Sequence, residues 1–285
     1  MNPFFSMRPV IGLSLWLLGT GLAGAQNQPV VPYGNNPQAG RYQSVGDANL
    51  YYEIYGQGKP VVLLHGGLYG YIGEYEYLIP KLAQTHQVIA LATRGHGKSE
   101  LGTKPFSREQ LAEDAYRVIR AVTTDSVVVI GFSDGGITGY HLTARHPELV
   151  RKLVAIGAPR RPTDRTTAAP TNKLITAERL GKESPDFVRS RKQLMPQPER
   201  WGEFLSQLNR MWHQPSFVSD DALRSIRCPV LVLAGDQDVY FKTEQVVETY
   251  RLFPKGTLAL IPGCHHVVMY CNFPAMWEAM APFLR

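Results

Sequence analysis

Four β-branched residues, Val127-Val128-Val129-Ile130, run without a break into Gly131-Phe132-Ser133-Asp134-Gly135-Gly136, and this stretch constrains the rest of the chain more than any other. A strand with no polar alternation is covered on both faces, as the inner strands of a parallel sheet are. The run closes in G-x-S-x-G, and Ile137 to Arg145 reads as helix. Strand, sharp glycine-flanked turn and helix form the context in which that motif lifts a serine to the apex. The apex residue is expected in a strained conformation, with small neighbours that let the backbone pass close on either side. Ser133 would then stand over the sheet edge with a helix N-terminus behind it. The same letters also suit a glycine-rich turn with an incidental serine, so the other motifs have to decide.

Around this stretch, strands and helices alternate. Leu50 to Tyr55, Val61 to Leu64, Val88 to Leu91, Lys152 to Ile156, Val230 to Leu233 and Leu258 to Ile261 read as strands. Helix-like segments run from Tyr77 to Gln84 and from Pro274 to Leu284, and Ser107 with Gln110 caps an amphipathic helix. That alternation predicts an α/β fold with a mostly parallel sheet and helices on both faces. Between Pro159 and Ile226 no strand-like run occurs. There Trp201, Phe204, Leu205, Leu208, Met211 and Trp212 share one helical face. The stripe suits a helix docked on its own core, and equally a lid whose underside, with Trp201, Met211 and Trp212, meets substrate.

The N-terminus reads as an address. Arg8 precedes the apolar run Val10 to Leu22, and Ala23-Gly24-Ala25 follows as a small-x-small cleavage site, the pattern of a secretory signal peptide. The run is short for a membrane span of ~20 residues, so no stable membrane insertion is expected after cleavage. The expected organisation is a signal peptide at 1–25, a flexible segment at 26–40, a first core part at 41–158, a helical cap at 159–226 and a second core part at 227–285. Net charge is +6, and removal of Arg8 leaves about +5. The basic residues form no continuous stripe with interleaved aromatics, which argues against nucleic-acid binding. Of three cysteines, Cys228 precedes a buried-looking strand and reads as a small core residue. Cys264 and Cys271 flank a histidine-bearing loop and are either bridged or both free.

A serine hydroxyl attacks only when a base takes its proton and an acid holds that base in the right tautomer. Asp236 and Asp238 follow the Val230–Leu233 strand, and His265 and His266 follow the last strand. The order Ser, acid, His is the one expected for a nucleophile elbow. An oxyanion also needs two backbone N–H groups, one from the residue after the nucleophile, Asp134, and one from the turn His65-Gly66-Gly67, where Gly67 is the candidate.

With these motifs in order, joined by Arg94-Gly95-His96-Gly97-Lys98-Ser99 and Pro262-Gly263-Cys264-His265-His266, the chain resembles the α/β-hydrolase fold family from about Arg41 to Arg285. The resemblance implies Asp238 rather than Asp236 as the acid and His266 rather than His265 as the base. It also implies that His65 braces the oxyanion turn, and that neither metal nor organic cofactor is needed. Ala92 departs from the family, which often has an acid two residues before the turn's arginine. The elbow most resembles small-ester hydrolases of the valacyclovir-hydrolase type, in which the acid beside the nucleophile can receive a substrate amino group. Here Asp134 either does so or only contributes its N–H and caps the helix. A serine at the apex argues against dehalogenases and epoxide hydrolases, which place an aspartate there. The expected function is an exported serine hydrolase acting on small-molecule esters. Aminopeptidase or amino-acid-ester cleavage is the first alternative, and a non-catalytic ligand-binding protein of the same fold is the second.

Overall fold

The computed structural model describes residues 31–285 apart from 168 and 216; the expected signal peptide lies outside the described residues. Eight strands form one sheet: β1 (Gly40–Ser44), β2 (Asn49–Tyr55), β3 (Lys59–Leu64), β4 (His86–Leu91), β5 (Val127–Phe132), β6 (Val150–Ile156), β7 (Val230–Gly235) and β8 (Gly256–Ile261). Their spatial order is β1-β2-β4-β3-β5-β6-β7-β8. β1 and β2 run antiparallel to their neighbours, and the six strands from β4 to β8 are parallel. The helices are α1 (Leu78–Leu82), α2 (Arg108–Val122), α3 (Asp134–Arg145), α4 (Ala177–Glu183), α5 (Pro185–Leu194), α6 (Trp201–Trp212), α7 (Asp220–Ser225), α8 (Thr243–Tyr250), α9 (Val268–Cys271) and α10 (Phe273–Leu284).

Strand period explains the two cores. Val62, Leu64, Ile89, Leu91, Val127 and Val129 point to the face covered by α2 and α3. Val61, Leu63, Val88, Ala90, Val128 and Ile130 point to the face covered by α1 and α10. All six residues of β5 are buried, as its unbroken apolar run requires. From β3 the chain steps to β4 on one side and later to β5 on the other, so the strand order reverses at β3. Ligands bind beyond the C-terminal strand ends at such a reversal. Leu64 lies beside Gly131 there, which brings the turn after β3 against the elbow after β5.

Between β6 and β7 lie the helices α4 to α7, with no strand among the described residues. The α6 stripe is buried along its length and joins Leu68, Leu101, Phe106 and Leu111 in a third apolar cluster. No helix among the described residues is long and apolar enough to cross a membrane.

The segment expected to be flexible is tied down over its described part. Glu53, fully buried on β2, accepts from the N–H groups of Gly34 and Asn36, each at 2.8 Å, and from the hydroxyls of Tyr51 and Tyr55. Polar composition pointed to a tether, but a buried carboxylate needs donors and this backbone supplies them. β1 was also unexpected: only its pairing with β2 makes Gly40–Ser44 a strand.

Candidate active site

Ser133 is the only non-glycine residue with positive φ among the described residues, at φ 53° and ψ −117°. Small residues make that turn sterically possible. A Cβ on Gly131 would collide with Gly135, and one on Gly135 with the Leu64 carbonyl. The turn aims Ser133 at His266, whose Nε2 lies 3.0 Å from Ser133 Oγ. His266 Nδ1 is 2.7 Å from Asp238 Oδ2, and Asp238 Oδ1 accepts from the N–H of Tyr240 at 2.7 Å. The carboxylate thus holds the ring with Nδ1 protonated and Nε2 facing the hydroxyl. Asp238 and His266 are both buried, and the rings of Phe132, Tyr240 and Phe241 pack on the imidazole. The neighbouring candidates stand outside this chain: Asp236 is exposed, and exposed His265 bonds the Gln237 carbonyl instead.

The His266 loop is closed by a disulfide between Cys264 and Cys271, with Cα atoms 5.6 Å apart; Cys228 is free and half-buried. Bridging this short loop should stabilise the fold by about 2–3 kcal/mol. Reduction should therefore lower the urea midpoint and loosen His266, with a fall in turnover. The peptide carrying both cysteines should gain two hydrogens in mass; an unchanged mass would mean the two are not linked.

On the opposite side, the turn after β3 is braced from beneath. His65 is buried, with Nδ1 2.7 Å from the Gly66 carbonyl and Nε2 3.0 Å from the Thr93 N–H. That arrangement suits a neutral ring protonated on Nδ1, and burial holds its pKa well below the ordinary value. His65 thus braces the turn, as its place in the motif implies. The Gly66 N–H donates to Glu74 Oε2 at 2.8 Å, whereas that of Gly67 has no such partner. Glu74 lines the cavity, and desolvation raises its pKa from 4.5 to about 7. The folded protein keeps this proton longer than the unfolded chain does. Its contribution to stability is therefore full below about pH 4.5 and is lost as the pH rises towards 7. The expected loss is roughly 2–3 kcal/mol, and Glu74→Gln should flatten it. Urea unfolding at either end of that window checks the slope; equal slopes in both proteins would remove Glu74 as its source.

A cavity of about 180 Å³ opens over Ser133 and His266. Of the three residues expected to meet substrate, Trp212 lines it and Trp201 and Met211 do not. Trp201 packs against Phe204 and Phe187, and Met211 reaches the far side of the turn beside His65 and His96. The reasons are geometric: a helix rises 1.5 Å per residue, so Trp201 stands about 16 Å from Trp212 along the axis, and it turns about 100° per residue, so Met211, next to Trp212, points to another side. Of the stripe, Trp212 alone lines the cavity among the described residues.

Asp134 does more than follow the nucleophile. Its Oδ1 accepts from Arg108 Nη1 at 2.8 Å and its Oδ2 from Trp212 Nε1 at 2.6 Å, so its side chain caps no helix. Both oxygens are committed, which weighs against a substrate ammonium group there. Arg108, Arg165 and Glu74 line the cavity and were not singled out in the sequence. Arg108 carried one signal: it follows the cap Ser107, and a cation in the first turn of a helix opposes the helix dipole. Among the described residues no group of three or more His, Cys, Asp or Glu side chains could hold a metal ion.

An elbow serine, a histidine and an aspartate, each beyond the C-terminal end of a parallel strand, define an α/β hydrolase. The chain belongs to the alpha/beta hydrolase family, which it matches over residues 61–281. It is 27% identical over 250 residues to the serine hydrolase BPHL of Homo sapiens, covering 81% of each chain. The putative carbamate hydrolase RutD of Azorhizobium caulinodans is 40% identical, but over 115 residues, 40% of this chain and 43% of that protein. The chain spans less than half the length of this relative and of two further curated hydrolases that it matches. A serine hydrolase involved in carbazole degradation, CarC, has the same fold, with a TM-score of 0.70 at 23% identity over 86% of this chain and 98% of that one.

Proposed function

We propose that this α/β hydrolase is an exported serine hydrolase that cleaves carboxylic esters of small molecules. The observation that carries the reading is the hydrogen-bonded chain from Ser133 through His266 to Asp238. Ser133 Oγ attacks the ester carbonyl carbon as His266 Nε2 takes its proton. The N–H groups of Gly67 and Asp134 receive the oxyanion, each such donor being worth about 3–4 kcal/mol. Collapse expels the alcohol, which takes the proton from His266, and water then releases the acid from the acyl-enzyme by the same route. The likeness to a serine hydrolase over most of both chains supports the class. Export rests on the N-terminal apolar pattern, and a disulfide beside the base suits an oxidising compartment.

Labelling the protein with a fluorophosphonate tests the reading. A single adduct on the peptide containing Ser133, absent from Ser133→Ala, is expected, together with turnover of a short neutral ester. A well-folded protein that takes no adduct would sink it and favour ligand binding without catalysis.

A further inference from the structure

Two arginines line the cavity without a part in that reaction. Arg108 opens α2, and Arg165 lies in the connection after β6; their guanidinium carbons sit 4.5 and 5.2 Å from the centre of the Phe217 ring. The Arg108 side chain is 1% exposed. Its Nη1 donates to Asp134, while Nε and Nη2 are buried with no hydrogen-bond partner. Nε–H and Nη2–H are the side-on fork of a guanidinium, two parallel donors spaced for the two oxygens of a carboxylate. Among the described residues Arg165 donates only to main-chain carbonyls, that of Trp212 at 2.6 Å and that of Thr171 at 3.4 Å. Among the described residues no carboxylate pairs with it. Asp134 accepts instead from Arg108 and Trp212.

With Glu74 protonated, as its burial favours below about pH 7, two arginines against one aspartate leave a local charge of +1 in a largely apolar cavity. Buried donors without acceptors, and a half-buried cation without a paired carboxylate, are costly to keep. One bound anion would compensate both. We propose that the Arg108–Arg165 end of the cavity is a carboxylate subsite, and that the substrates are esters carrying a second, free carboxylate, such as half-esters of dicarboxylic acids. Arg108 grips the residue next to Ser133, so the subsite adjoins the reacting ester. The single missing charge and the apolar walls of Ile137, Trp212 and Phe217 suit a monoanion better than a phosphate dianion. The substrate class rests on the ester-hydrolase reading; the binding of the anion does not.

The test compares a glutaric acid half-ester with a neutral ester of the same length and leaving group. Wild type should prefer the half-ester in kcat/KM by about tenfold or more, and Arg165→Gln and Arg108→Gln should each lower that preference about 10- to 100-fold. Arg108→Gln also strands Asp134 and can fail to fold, so Arg165→Gln carries the comparison. A preference unchanged in Arg165→Gln, or a wild type that favours the neutral ester, overturns the proposal. Binding is read separately from the melting temperature of Ser133→Ala with glutarate, glutaramide or inorganic phosphate. Stabilisation by glutarate alone, lost when Arg165→Gln is added, upholds the subsite even if neither ester turns over, in which case the hydrolase reading is what fails. Equal shifts from glutarate and glutaramide, or from glutarate and phosphate, overturn it.

Discussion

Ester turnover by Ser133→Ala is expected to fall by about 10⁶-fold in kcat, and His266→Ala should lose a similar amount. The two groups act as one unit, joined at 3.0 Å, so the double variant should lose little more than either single one. Asp238→Asn keeps the shape but offers the ring an N–H where it needs an acceptor, and about 10⁴-fold should be lost. Steady-state turnover checks all three, with circular dichroism to establish that each variant is folded. A Ser133→Ala protein within tenfold of wild type would remove Ser133 from the reaction. The residual rate of the variants reports what binding and the Gly67 and Asp134 N–H groups supply without a nucleophile.

The largest loss of stability is expected away from the cavity, in the turn after β4. Arg94 is fully buried and forks onto Asp114, with Nε 2.6 Å from Oδ2 and Nη2 2.9 Å from Oδ1, and onto Asp47 at 3.0 and 3.2 Å. Asp47 also accepts from the N–H groups of Thr103 and Lys104, so one guanidinium ties the loop before β2, the turn after β4 and helix α2 together. Arg94→Met leaves two carboxylates without their cation, at a cost of about 3–5 kcal/mol. For a chain of this size that lowers the melting temperature by roughly 10 °C. A loss under about 1 kcal/mol in urea unfolding would mean that water replaces the arginine readily. Acid should act on the same cluster. Hydrogen bonding by Arg94 holds the Asp47 pKa well below 3.8, so its contribution is present above about pH 4 and fades as the pH falls further.

The sheet was legible because its strands are marked locally. Val61 to Leu64 and Val230 to Leu233 are apolar on both faces, and the structure extends such runs only by a residue or two. β1 escaped notice because Gly-Arg-Tyr-Gln-Ser has no strand pattern apart from its partner β2. The candidate site splits in the same way. Ser133, Asp238 and His266 each stand a few residues beyond a strand end, where spacing can be counted along the chain. Trp201 and Met211 were placed with Trp212 because periodicity reports a broad helix face, and is blind both to how far along the axis that face stays near the cavity and to which side of it each residue turns.

The sequence by itself determined the fold class, the elbow and the order of serine, acid and base, since each is written in contiguous residues with a period or a motif. Only the tertiary structure decided what surrounds them. Arg108 reaches Asp134 across 26 residues, Arg165 reaches the Trp212 carbonyl across 47, and Glu74 meets Gly66 through a folded turn. Such contacts depend on where separate elements come to rest against one another, and burial, which changes the energy of every charge it encloses, is a property of that arrangement alone.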